Sequence, residues 1–169
     1  MLKKEELMNR IQEAYETAKN KGWHDEPREF GTLVALMHSE VTEAFEALMP
    51  DGEDNFSEEL ADVLIRIYDC CGLFDIPLAN VPFRPMRGEG LYNGTLQMMY
   101  IHRALSRALE CYRKSEKDRL WEDVAQWFAE VHVLIYEIGL AIEVDLNAEV
   151  RAKMDNNTRR PHPHGGQRA

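Results

Sequence analysis

The chain has 169 residues, 44% of them hydrophobic, which suits one domain with a sizeable core. Thirty acidic residues against 20 basic ones give a net charge of −10, which argues against a nucleic-acid polymer or an anionic membrane as the main partner. No apolar run approaches the ~20 residues of a membrane span, and the opening Met1-Leu2-Lys3-Lys4-Glu5-Glu6 reads as a charged amphipathic helix rather than a signal-peptide core.

The predicted elements are all helical. The first helix covers residues 3–20, with Leu7, Ile11 and Ala14 on one side, and Lys21-Gly22 ends it. A loop follows from Trp23 to Gly31. The second helix covers 29–49, and Pro50-Asp51-Gly52 makes the turn. The third starts near Ser57, a candidate cap with Glu58 and Glu59 in its acidic first turn, and stops before Pro77. Residues 77–93, with Pro77, Pro82, Pro85, Gly88 and Gly90, read as a long loop. Further helices are expected over 95–114 and 118–142, and a short one over 147–155. Residues 1–155 form the expected single domain, and 156–169 a polar, basic tail. Cys70, Cys71 and Cys111 are odd in number, and two are adjacent, so buried thiols in a reducing cytoplasm are expected rather than disulfides.

Two acid pairs break the apolar pattern. Leu33, Leu36, Met37, Val41, Ala44, Ala47 and Leu48 form one stripe, with Glu40 inside it and Glu43 at its margin. Phe56, Leu60, Val63, Ile67, Cys70, Cys71 and Phe74 form the next, with Glu59 inside and Asp62 at the edge. Residues three apart share a helix face. Two such helices packed together bring four carboxylates to one place, where a hard cation with a preference for oxygen ligands relieves their repulsion. Glu46, Glu53, Asp54 and Glu58 lie off the stripes or in the loop and read as solvated acids. No Glu-x-x-His occurs, which weighs against a di-iron bundle.

An internal repeat is expected at an offset of 68, beside the reading of chance similarity between amphipathic helices: Leu60-Ala61-Asp62-Val63 sets against Phe128-Ala129-Glu130-Val131, and Ile76-Pro77-Leu78 against Val144-Asp145-Leu146. The echo replaces Glu40, Glu43 and Glu59 by Ala108, Cys111 and Trp127, and keeps an acid only at Glu130. Two such hairpins close a four-helix-bundle-like core, flanked by the N-terminal helix and the short C-terminal one.

Glu40-Val-Thr-Glu43, fifteen intervening residues, then Glu59-Leu-Ala-Asp62 resembles the MazG-like, all-α nucleoside triphosphate pyrophosphohydrolases. The approach Gly22-Trp23-His24-Asp25-Glu26-Pro27-Arg28 and the C-terminal stretch from Lys153 to Gly165 resemble members of that family too. Residues 77–145 depart from it, because many compact relatives assemble the bundle from two chains. The resemblance implies Mg²⁺-dependent cleavage of (deoxy)nucleoside triphosphates between the α- and β-phosphates, with Mn²⁺ as a substitute ion. It implies Glu40, Glu43, Glu59 and Asp62 as metal ligands and catalytic residues, and a homodimer. Lys153, Asn157, Arg159 and Arg160 are candidate phosphate contacts, beside the reading of this end as a mobile tail. Trp23 is either a base-stacking residue or a buried loop anchor. His162 and His164 read as tail, and His38 as a packing or surface residue. Two alternatives remain: a phosphoribosyl-ATP pyrophosphohydrolase-like enzyme, and a non-catalytic helical interaction module with vestigial acids.

Overall fold

The first helix, α1 (Lys4–Asn20), begins with the Lys3 amide donating to the Glu6 carboxylate at 2.9 Å, so that an acid of the first turn satisfies one orphan donor. It ends in a Schellman motif. Gly22 takes a left-handed φ of 77°, its amide donates to the Lys19 carbonyl, and the Trp23 amide donates to the Ala18 carbonyl, both at 3.0 Å. This turn sets the direction of the Trp23 loop. The computed structural model describes residues 2–84 and 93–159.

Five further helices follow among the described residues: α2 (Phe30–Glu46), α3 (Phe56–Phe74), α4 (Gly94–Lys114), α5 (Leu120–Ala141) and α6 (Leu146–Arg159), with a 3₁₀ turn at Leu78–Asn80. No strand occurs among the described residues. Hairpins α2–α3 and α4–α5 are the main packing units, joined along α2 and α4, while α1 and α6 lie against α3. The α2–α4 pair is antiparallel, with Gly31 against Leu109 and His38 against His102. This is the expected bundle of two hairpins with a flanking helix at each end. Among the described residues no helix is long and apolar enough to cross a membrane.

Positions 68 residues apart on α3 and α5 are buried alike. Leu60, Val63, Leu64, Ile67 and Tyr68 are buried, as are Phe128, Val131, His132, Ile135 and Tyr136, their counterparts 68 residues on. Both hairpins also finish alike. Asp75 and Glu143 take left-handed φ angles of 53° and 60°. The next amides, of Ile76 and Val144, then donate to Cys71 and Gly139 at 3.0 and 2.9 Å.

Several expectations are corrected. Helix α2 stops at Glu46, not 49. Ala47–Pro50 turn instead, since a residue before proline is disfavoured in helical conformation. Leu48 is consequently exposed at 37% and is no part of the core. Ser57 is not the cap of α3: the helix starts at Phe56 after Asn55, and no side chain caps it. The loop after Pro77 contains the 3₁₀ turn, and its residues 85–92 lie outside the described ones. The last helix is 14 residues long, so Asn156–Arg159 are helical rather than tail. Cys70 and Cys71 are buried and unbridged, and burial pushes both thiols well up.

Candidate functional site

Helix α3 carries a row of charged residues, Glu59, Asp62, Arg66 and Asp69, at helical spacing on one face. That face borders a cavity of about 710 Å³ enclosed by α1, α2, α3 and α6. Helix α2 contributes Glu40 and Glu43, the loop contributes Trp23, and α6 contributes Lys153 and Asn157. The candidate residues Trp23, Glu40, Glu43, Glu59, Asp62, Lys153 and Asn157 therefore meet at one place, while the candidate Arg159, the last residue of α6, does not line the cavity. Arg160, His162 and His164 lie outside the described residues.

The acids are not equivalent. Oxygens of Glu40, Glu43 and Glu59 all lie within 4.8 Å of one another. Glu40 and Glu59 are each 8% exposed, as expected for residues inside the stripes, while Glu43 opens to solvent. Asp62 shares the cavity but turns to Lys153, whose Nζ lies 2.8 Å from Oδ2 and 3.5 Å from the exposed Glu58. Glu40 accepts from Arg66 at 2.9 Å. Asn55, just ahead of α3, donates its side-chain amide to Glu59 Oε1 at 2.7 Å and so orients that carboxylate.

Burial raises the pKa of Glu40; Arg66 opposes the shift, and Asp62 and Glu43 add to it. Burial likewise raises that of Glu59, against Lys153 and with the help of Asp62, Glu43 and Glu40. Lys153 is disfavoured as a cation by burial, yet Asp62, Glu59 and Glu58 hold its pKa above the ordinary value. Five carboxylates, Glu40, Glu43, Glu59, Asp62 and Asp69, thus line one cavity with three cations, Lys21, Arg66 and Lys153. Two negative charges remain uncompensated, the charge of one divalent cation. The three clustered donors are all carboxylate oxygens, the donor class that Mg²⁺ and Mn²⁺ accept. The residues present fit such an ion, with Glu40, Glu43 and Glu59 as its holders and Asp62 as the partner of Lys153.

Trp23 is already engaged. The guanidinium carbons of Arg28 and Arg66 lie 5.1 and 5.2 Å from its ring centroid, and Arg28 Nε donates to the Trp23 carbonyl at 2.6 Å. Its loop is pinned to α3 through His24 Nε2, 2.7 Å from Asp69 Oδ1, and His24 stacks on Tyr15. On α6, the Thr158 carbonyl accepts from Lys21 Nζ at 2.8 Å, and Arg151 pairs with Glu13, so this helix is tied across the cavity mouth. His38 packs against His102 with parallel rings and Nδ1 atoms 2.6 Å apart, on the α2–α4 seam.

Arg66, Asn55 and Asp69 are residues that pattern reading passes over. Arg66 falls four residues after Asp62 and seven after Glu59, so the face was readable. A long cation at a stripe margin, however, ordinarily reads as a snorkelling surface residue. No family model, no curated protein and no solved structure matches the chain.

Proposed function

We propose that this chain hydrolyses (deoxy)nucleoside triphosphates between the α- and β-phosphates, releasing the monophosphate and pyrophosphate, with Mg²⁺ as cofactor and Mn²⁺ able to replace it. The observation that carries the reading is the convergence of Glu40, Glu43 and Glu59 oxygens within 4.8 Å on the wall of a nucleotide-sized cavity. The resemblance to MazG-like pyrophosphohydrolases supports the same reaction. A cytoplasmic homodimer belongs to this reading.

Glu40, Glu43 and Glu59 would hold Mg²⁺, which would supply the charge neutralisation that lets an acidic site accept a triphosphate and favours attack by water. The chain's own residues do the rest. Asn55 fixes the rotation of Glu59. Lys153, held by Asp62, presents an ammonium group to the phosphates from α6. Asn157 offers a side-chain amide from the next turn of the same helix. One carboxylate of the set takes the proton of the attacking water.

The test is a panel of standard and modified nucleotides assayed for pyrophosphate with wild type and Glu43→Ala, with and without Mg²⁺. Expected is Mg²⁺-dependent release by wild type and a loss on the order of a hundredfold or more in the variant. Absence of activity on every nucleotide sinks the enzyme reading and favours a non-catalytic helical module. Equal activity of the variant refutes the site.

A further inference from the structure

Arg66 stands between two parts of the site. Its Nε donates to Glu40 Oε1 at 2.9 Å, and a terminal nitrogen forms an ion pair with the same oxygen at 2.9 Å. Its guanidinium lies over Trp23 at 5.2 Å from the ring centroid. The side chain is 29% exposed and lines the cavity. It is therefore neither a buried structural ion nor a free surface arginine.

Two demands meet on Glu40. A divalent cation held by Glu40, Glu43 and Glu59 sits across a single carboxylate from the full positive charge of Arg66. In a half-buried cavity that opposition is strong, because screening by water is reduced. The guanidinium fork that now clasps a carboxylate matches the geometry of phosphate oxygens equally well. Trp23 provides a face along which the guanidinium can turn while retaining its cation–π contact.

We propose that Arg66 is a phosphate-anchoring residue, held on Glu40 in the resting chain and transferred to the polyphosphate of the ligand when a divalent cation takes Glu40. The inference rests on the carboxylate metal site described above. It makes the ligand a polyphosphate whose binding is coupled to loading of the ion. Before loading, Arg66 competes with the ion. After loading, the released guanidinium adds to the affinity for the anion.

The experiment is calorimetric titration of the full chain at constant ionic strength, first with Mg²⁺, then with tripolyphosphate at saturating Mg²⁺. Tripolyphosphate lacks a base, so the outcome is independent of base preference. Arg66→Gln is expected to bind Mg²⁺ roughly tenfold more tightly, because a competing charge is gone. It is expected to bind Mg²⁺-tripolyphosphate roughly tenfold more weakly, because a charge-assisted fork is lost. Arg66→Lys, which keeps the charge without the fork, is expected to match wild type for Mg²⁺ and to weaken tripolyphosphate. A structural role moves both affinities of Arg66→Gln downward, and simple repulsion of cations leaves tripolyphosphate unchanged; either result overturns the exchange. A second measurement needs no substitution: the Arg66 Nε–H resonance of ¹⁵N-labelled wild type is expected to shift on addition of Mg²⁺. An unchanged resonance at saturating Mg²⁺ overturns the transfer. Failure of the underlying site looks different, since wild type then binds no Mg²⁺ and Glu43→Ala changes nothing.

Discussion

His132 makes the stability of this fold depend on pH in a way that can be worked from its surroundings. It is 0% exposed on α5, stacked between Phe83 and Tyr136 at centroid distances of 4.4 and 4.6 Å. Neither ring nitrogen has a hydrogen-bond partner among the described residues. Burial lowers its pKa from an ordinary 6.5 to about 3. The unfolded chain therefore takes up a proton near pH 6.5 while the folded chain does not. Below that pH the unfolded state binds more protons, so stability is full above 6.5 and is lost as pH falls towards 3. At about 1.36 kcal/mol per unit, moving from pH 7.5 to 5.0 removes about 2 kcal/mol through this residue alone. That is a large part of the ~5–15 kcal/mol that holds a domain together. His132→Phe keeps the stacked ring and removes both unpaired nitrogens, so it is expected to equal or exceed wild type by about 1 kcal/mol at pH 7.5. Urea unfolding of both proteins, followed by far-ultraviolet circular dichroism at pH 7.5, 6.0 and 5.0, isolates the effect as a difference. The variant's advantage is expected to grow by about 2 kcal/mol across that range. A difference that stays constant with pH refutes the reasoning, because every other titrating group is common to both proteins.

Two further perturbations probe the site and its support. Burial and the neighbouring acids raise the Glu59 pKa, so its ionisation costs stability as pH rises from the unfolded value of 4.5 through the raised folded one. Glu59→Gln is thus expected to raise Tm at pH 7.5 without metal by about 2 °C, and, on the proposed metal site, to abolish the stabilisation of about 2.7 kcal/mol expected for wild type with Mg²⁺ at a hundred times its Kd; differential scanning fluorimetry with and without Mg²⁺ reads both. At Gly72 a Cβ would meet Tyr15 Cβ at 2.4 Å and Cγ at 2.9 Å, so Gly72→Ala is expected to push α1 from α3 at a cost of about 2 kcal/mol, or about 6 °C in Tm. An unchanged melting temperature would show that α1 docks more loosely than this.

The helices were legible because apolar residues recur at helical spacing, and so were Glu40 and Glu59, which interrupt the stripes and prove to be 8% exposed. The end of α6 was not legible. Asn156, Asn157 and Thr158 are poor helix formers, yet the helix runs to Arg159 because Met154 is buried beneath it and Lys21 caps the Thr158 carbonyl. These are tertiary contacts that no local window contains. Trp23 illustrates the same limit. Its two readings could not be separated in the sequence, since the guanidinium groups that occupy it come from Arg28 nearby and Arg66 on another helix. His132 passed unnoticed because a single histidine within an apolar stripe reads as packing, and only its two unpaired nitrogens reveal what that packing costs.

The two hairpins show what carrying a charged cavity demands of a small bundle. In the second hairpin the counterparts of Glu40 and Glu59 are Ala108, fully buried, and Trp127, packed against the core. The retained acid Glu130 pairs with Arg103 at 2.8 Å, and Arg103 lies over Trp127 at 5.4 Å. An acid, an arginine and a tryptophan thus come together at each hairpin, although Trp23 belongs to the loop before α2. In the second the carboxylate is fully matched by its arginine and the set closes on itself; in the first, Glu40, Arg66 and Trp23 stand beside further carboxylates and open onto a cavity. An acid at Ala108 would bury an unpaired charge, and one at the partly buried Trp127 would remove apolar packing, each a destabilising change of a few kcal/mol in a domain of ordinary stability. Among the described residues one acid centre is present, in the first hairpin, while the matched positions of the second carry apolar packing that contributes to the stability of the same bundle.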